Sequence, residues 1–449
     1  MATLLQEKLA KERKERKAID EKVQAAPMRP TNEEAEAAKK ILTDISKEFR
    51  GEIAEKGTSG IADDVKGYVK THAVQKAADY ETQQRVERLV MSNITGLGPI
   101  QQYMDDDAVT EIVVERYDKI CIERNGAIEE VEDSFMNEEQ LQTIIRRIIE
   151  SVGRSLNLYS PMVDARLPDG SRINATIPPV TPDGATLTIR KFSKEALTGQ
   201  QYVKLKSLSP EMLAFLKACV QARVSLIVSG GTNSGKTTLL NMLSSYIPER
   251  ELIVTIEDSL ELRLNQKNVR RMETRQVSGE GMIPVTIQSL VKNSLRMRPD
   301  RIVIGEVRDG TIVDLMSAMS TGHEGSMSTI HANSPKNLIL ARMPILYSMN
   351  SAASFSETAQ QMQIAEALHL IIQIARGRDG KRRITHITHV SGYDKDKGII
   401  LRDIFLYRDG KFEATGYVPK QIIDMIHDEG IEIDEKIFVK KEAGGGNSK

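Results

Sequence analysis

The run "SGGTNSGKTTLL", residues 229–240, sets three glycines, one lysine and three threonines between an apolar stretch and a helix-like one. Gly230, Gly235, Lys236 and Thr237 fit the phosphate-loop pattern G-x-x-x-x-G-K-[ST] at every position. Glycines let backbone N–H groups turn inward around phosphate oxygens. Lys236 brings a positive point charge for the β and γ phosphates. Thr237 offers a hydroxyl for Mg²⁺, and a helix start adds its dipole. The chemistry these residues suit is binding of a nucleoside triphosphate with magnesium.

Turning the nucleotide over needs a group that orients a water and groups that neutralise charge as the γ-phosphoryl leaves. Glu306 follows the apolar run 301–304, and Glu257 and Asp258 end the apolar run 251–256. Carboxylates at those strand ends would face the phosphate loop. His323 and His331 flank "HEGSMSTIH". Eight residues apart, they are not a helical metal pair at i, i+4; one of them suits sensing the γ-phosphate.

Periodicity predicts the scaffold for these groups. "VSLIVSG" (224–230), "ELIVTIED" (251–258), "DRIVIGE" (300–306) and "GSMSTIH" (325–331) read as buried strands separated or preceded by helical patterns. That alternation predicts an α/β domain over 210–437 with a mainly parallel sheet and its chemistry at the carboxyl ends of the strands. "RRITHITHVSGY" (382–393) and "GIILRDIFLYR" (398–408) read as further strands. Upstream, "EIVVE" (111–115), "KICIER" (119–124), "ATIPP" (175–179), "ATLTIRKF" (185–192) and the helical "LQTIIRRIIESVG" (141–153) predict an α/β domain over 95–195, with 196–209 as linker. Residues 1–94 read as a polar helical segment. Its first 26 residues could form a mobile arm. Thr31 and Glu34 form a capping box opening a helix toward Glu55, and a second helix covers Asp63 to Met91. Residues 438–449 read as a disordered tail.

Charged residues are 28% of the 449 and cancel to a formal net charge of -1. No bulk field for nucleic acid or a membrane surface results. Two cysteines, Cys121 and Cys219, exclude a disulfide framework and a four-cysteine zinc site. No signal peptide or membrane span is visible, which predicts a soluble, cytoplasmic chain meeting a membrane only through partners. Aromatic residues are 4%, without tryptophan, so no base-stacking stripe for a nucleic-acid motor appears.

Together, "GGTNSGKTT", "TIEDSLEL" (255–262), "RMRPDRIVIGEVRDG" (296–310) and "GHEGSMSTIHANSP" (322–335) resemble the phosphate loop, Asp box, Walker B segment and His box of the secretion-ATPase superfamily. With "DARLPDGSRINATIPP" (164–179) and "LTIRKF" (187–192), the wording is most similar to the tight-adherence pilus ATPases, the CpaF or TadA type. The resemblance implies a RecA-like C-terminal domain hydrolysing ATP. Gly230, Gly231, Thr232, Asn233, Ser234, Gly235, Lys236, Thr237 and Thr238 would hold the phosphates and Mg²⁺. Glu306 would polarise the attacking water, with Glu257 and Asp258 supporting water and metal. His323 and His331 would sense the γ-phosphate. Arg172 and Arg190 would reach the nucleotide from the N-terminal domain. The resemblance further implies a homo-hexameric ring acting on an inner-membrane pilus platform, or a type IV secretion ATPase as the alternative. Gly305 stands where an ordinary Walker B aspartate would be, leaving Thr237 as the evident protein ligand for magnesium.

Overall fold

The computed structural model describes residues 2–49, 62–76, 79–124, 126–192, 197–275, 283–350 and 355–440. It divides into two compact units, Met1–Ser193 and Lys194–Lys449.

The first unit opens with helices Ala2–Ala25, Asn32–Glu48, Ala62–Lys76 and Tyr80–Thr95. The capping box forms as expected: Thr31 N donates to Glu34 Oε2 at 2.7 Å, and Glu34 N to Thr31 Oγ1 at 3.3 Å. The expected stop of this helix, at 55–57, lies outside the described residues. One helix from Asp63 to Met91 is not what forms. Asp79 caps a separate helix, accepting from Thr82 N at 2.9 Å and Thr82 Oγ1 at 2.7 Å. Ile41, Ile45, Val65, Val69, Val86 and Val90 make a common core for these helices. The later part of the first helix is docked rather than a free arm. Arg88 donates to the carbonyls of Val23 and Ala26, and Asp20 accepts from Tyr80.

The helical bundle is tied to the sheet domain of the same unit. Met28 N donates to buried Asp133 at 2.5 Å, and Arg147 donates to the carbonyls of Asn93, Ile94 and Gly96. The sheet holds β1 (Val109–Arg116), β2 (Lys119–Arg124), β3 (Ala127–Val131), β4 (Met162–Arg166), β5 (Arg172–Thr176) and β6 (Thr186–Arg190). These strands are antiparallel, in the order β3-β2-β1-β6-β5-β4. Helix Glu138–Ser151 lays Leu141, Ile144, Ile145 and Ile148 on Ile112, Ile122, Ile173 and Ile189. The strand expected over 175–179 ends at Thr176, because Pro178 and Pro179 bring no N–H to a ladder.

The second unit holds β7 (Leu226–Gly230), β8 (Ile253–Glu257), β9 (Val269–Glu273), β10 (Arg301–Ile304), β11 (Met327–His331), β12 (Leu370–Arg376), β13 (Arg382–Asp394), β14 (Gly398–Arg408) and β15 (Lys411–Ala414). Their order is β15-β14-β13-β12-β7-β11-β10-β8-β9. From β12 to β9 all pairs are parallel; from β12 to β15 all are antiparallel. Every residue of β7, β8 and β10 is buried, as expected of parallel strands covered on both faces. Leu226 and Val228 face one core and Ile227 the other.

Two boundaries differ from expectation. Residues 197–209 are part of this unit: Gly199–Lys204 is helical, and Tyr202 and Leu208 are buried in its core. Phe438 is not tail; it packs 5.4 Å from Phe215. Residues 441–449 lie outside the described residues.

Candidate nucleotide-binding site

β7 delivers the chain to Gly230, and helix Lys236–Ser244 carries it away. Gly230 has to be glycine: a Cβ there would sit 2.4 Å from Ile374 O and 2.5 Å from Ser234 Oγ. The turn is completed by Asn233 at φ 56 and Gly235 at φ 93. Inside the loop, Ser234 Oγ donates to Gly231 O at 2.8 Å, and Lys236 Nζ donates to the same carbonyl at 2.9 Å. Lys236 is 9% exposed, so its ammonium sits within the loop, ready to exchange a carbonyl for phosphate oxygens. Thr237, in the first turn of that helix, is half-buried, and Thr238 is exposed.

Parallel pairing brings the other groups to the same edge. His331 is paired with Gly230, Ile304 with Ser328, and Ile256 with Ile304. Glu257, Glu306 and His331 therefore leave the sheet beside the phosphate loop. His331 Nε2 lies 2.9 Å from Thr232 Oγ1. Burial, and then the charge of Lys236, hold its pKa below the ordinary histidine value against an opposing pull from Glu306. A neutral imidazole can accept at one nitrogen and donate at the other.

Glu257 is 1% exposed. Its Oε2 accepts from the N–H of Glu261 at 2.6 Å and of Leu262 at 2.8 Å, while buried Oε1 has no hydrogen-bond partner among the described residues. Burial lifts its carboxyl to about 7. Gly305 accommodates it: a Cβ there would lie 3.1 Å from Glu257 Cγ. The space of the missing Walker B aspartate is thus used by the neighbouring strand's glutamate. The unpartnered Oε1 is the kind of atom a divalent cation would satisfy, and Mg²⁺ commonly takes one or two carboxylates besides phosphates and water. Glu257 and the Thr237 hydroxyl fit that ion.

Glu306 sits on a loop fastened to β11. Thr329 Oγ1 donates to Gly305 O at 2.8 Å, and Val307 N to Thr329 O at 3.0 Å. Arg308 donates to Glu306 Oε2 at 2.5 Å and stands 3.8 Å from exposed Asp258.

His323 is elsewhere. It precedes β11, at the amino end of the strand whose carboxyl end carries His331, and its Nδ1 lies 3.0 Å from Pro299 O. Five strand residues, about 16 Å, separate the two ends, so the expected γ-phosphate role for His323 has no geometric support.

Arg172 and Arg190 belong to the first unit. They are directly paired across β5 and β6, with Arg166 opposite Arg172 and Glu111 opposite Arg190. Paired residues share a face, here the one turned away from buried Ile173 and Ile189. Three arginines in a row make a cationic stripe.

Sequence reasoning missed Arg308 and Arg382. Arg382, at the start of β13, donates through Nε to Asn233 O at 3.1 Å and through a terminal nitrogen to Asn233 Oδ1 at 3.0 Å, bracing the loop from 149 residues away. Arg308 had a signal, its place two residues after Glu306; Arg382 had none.

Residues 93–397 match the type II/IV secretion system protein family. The chain belongs to this family. It is accordingly an ATP hydrolase of the secretion-ATPase kind, with an α/β N-terminal domain and a RecA-like C-terminal domain. A Mycobacterium tuberculosis protein named for conjugal transfer is 32% identical over 306 residues, 67% of this chain and 86% of its own length. VirB11 of Agrobacterium fabrum is 30% identical over 306 residues, 62% of this secretion ATPase and 87% of itself. Among solved structures, the VirB11 ATPase of the Brucella suis type IV secretion system shares 26% identity, with 65% and 95% of the two chains covered and a TM-score of 0.36. The helical bundle before residue 93 precedes the family match.

Proposed function

We propose that this secretion ATPase is the hexameric motor of a tight-adherence pilus, working at the inner face of the cell membrane on platform proteins there. The observation that carries the motor reading is the meeting of Lys236, Glu306 and His331 at one edge of a parallel sheet. Lys236 and the loop amides bind the β and γ phosphates. Mg²⁺, held with Thr237 and Glu257, would neutralise charge on the phosphates. Glu306 orients the attacking water, and His331 reports the γ-phosphate to Thr232. Arg172 and Arg190 add charge when the N-terminal domain closes, and that closing is the working stroke. Among the described residues no helix is long and apolar enough to cross a membrane, so the reading attaches the motor through partners.

A second reading is favoured by the similarity to conjugal-transfer and VirB11 proteins: a type IV secretion ATPase exporting protein or DNA. Deleting the gene separates the two. Loss of surface filaments, restored by wild type and not by Lys236→Ala, supports the pilus motor. Intact filaments with lost conjugation or effector export support the second reading.

A further inference from the structure

Gln373 lies inside β12 and is 2% exposed. Alternation along the strand puts it on the face of Ile371, which packs in the core shared with Ile304 and Ile330. An amide is out of keeping with those apolar neighbours. Its Nε2 donates to Ala332 O at 3.1 Å, while its buried Oε1 has no donor among the described residues. The amide has to point this way round, because the reverse would set Oε1 against a carbonyl oxygen.

A buried amide with half its bonding unmet costs stability, and each such group calls for an explanation. What Gln373 spans supplies one. It pairs with Ser229 of β7, and Ser229 pairs with Ile330 of β11. The glutamine therefore reaches across the strand that feeds the phosphate loop, to the residue after His331. β11 ends at His331, so Ala332 O lies past the end of the strand; Ser229 Oγ approaches it too, at 3.5 Å. Pairing with Gly230 holds His331 from one side, and Gln373 holds its neighbour from the other. Between them they set the direction of the imidazole, whose Nε2 lies 2.9 Å from Thr232 Oγ1. Gln373 also marks a β-bulge. It faces His386 while Ile374 faces Ile384, so Thr385 is the extra residue, and Thr385 Oγ1 donates to Gln373 O at 3.3 Å. Bulges are frequent beside active sites, where they re-aim the chain. This one lies three residues from Arg382, which grips Asn233 of the phosphate loop.

We infer that Gln373 is a positioning residue of the ATPase reaction: by holding Ala332 it aims His331 at the terminal phosphoryl group. This rests on the proposed γ-phosphate role of His331. Gln373 itself touches no nucleotide and exchanges no proton. It acts through the direction of one imidazole, so its effect belongs to turnover and not to the grip of the loop on the other phosphates.

The test uses the full chain with Gln373→Met and Gln373→Asn, each alone and combined with His331→Ala. Steady-state ATP hydrolysis, ADP titration and thermal melting are measured on all of them. Methionine keeps the volume and removes the donor; asparagine keeps the amide but is one methylene too short to span β7. Both changes are expected to lower kcat about tenfold, with KM and ADP affinity within about twofold. In the His331→Ala background they should lower kcat by less than about twofold further, since the group they aim is gone. Gln373→Met should melt within about 4 °C of wild type, because losing the bond and removing the unpartnered oxygen oppose each other. Wild-type kcat in both single variants would overturn the inference. So would a second loss of about tenfold on top of His331→Ala. ADP affinity falling along with kcat would also overturn it, by making Gln373 a general support of the fold. Failure of the underlying reading looks different: His331→Ala alone would hydrolyse ATP at the wild-type rate, and the inference would fall with it.

Discussion

Arg308 donates to Glu306 at 2.5 Å and reaches Asp258 at 3.8 Å. One guanidinium therefore joins the acid after β10 to the acid after β8, and it fixes where the Glu306 carboxylate points. A water-orienting carboxylate has to be aimed as well as charged. Replacing Arg308 with Ala is expected to lower kcat about tenfold with KM within about twofold, because aim is lost and loop binding is not. Steady-state kinetics decide it. A raised KM with unchanged kcat would place Arg308 in nucleotide binding.

Arg382 should act on affinity. It holds Asn233 in its left-handed conformation through two hydrogen bonds. Without it the loop must be ordered by the ligand, which costs binding energy. Arg382→Ala is expected to weaken ATP and ADP alike, by about tenfold, in a titration. An effect confined to ATP would mean that Arg382 meets the γ-phosphate instead.

How much of this could be read in the residues differs by element. β7, β8 and β10 stand out because strands buried on both faces are continuous apolar runs, and the phosphate loop because its backbone path dictates glycines. β9, "VRRME", carries charges on an exposed edge and has no such run. The break at Asp79 hides in a sequence helical on both sides of a single cap. His323 and His331 look equivalent in the chain; which end of β11 each occupies is set by parallel pairing with β7. Arg382 is positioned by the topology alone.

The N-terminal helices offer a third test. Asp133 is 5% exposed and accepts from Met28 N, Gln102 and Tyr103. Met136 beside it packs on the helical core. A chain starting at Ser92 loses Met28 and exposes that face, so it should be less stable by about 1–3 kcal/mol from the Asp133 contact alone. Chemical denaturation of the two chains measures this. Equal stability would show that the bundle is an independent attachment.

His389 gives a pH signature. It is 2% exposed, with Nδ1 3.0 Å from Tyr417 Oη. Burial pushes its pKa down to about 4; the hydrogen bond to Gln421 opposes this, and the charges of His369 and Arg402 reinforce it. The unfolded chain protonates near 6.5 and the folded one resists until about 4. Stability is therefore present above pH 6.5 and falls as pH drops through that window, by about 3 kcal/mol at the acid end. His389→Gln should flatten the decline of melting temperature between pH 7 and 4. An unchanged slope would show that His389 does not set it.

The most direct measurement of the central claim pairs ATP titration with single-turnover hydrolysis in wild type, Lys236→Ala and Glu306→Gln. Lys236→Ala removes the lysine held inside the loop and should abolish tight ATP binding. Glu306→Gln keeps its shape and loses the charge that orients water, so ATP should bind as in wild type while hydrolysis falls by about 10²-fold or more. Wild-type hydrolysis by Glu306→Gln, or wild-type ATP affinity in Lys236→Ala, would contradict the site described.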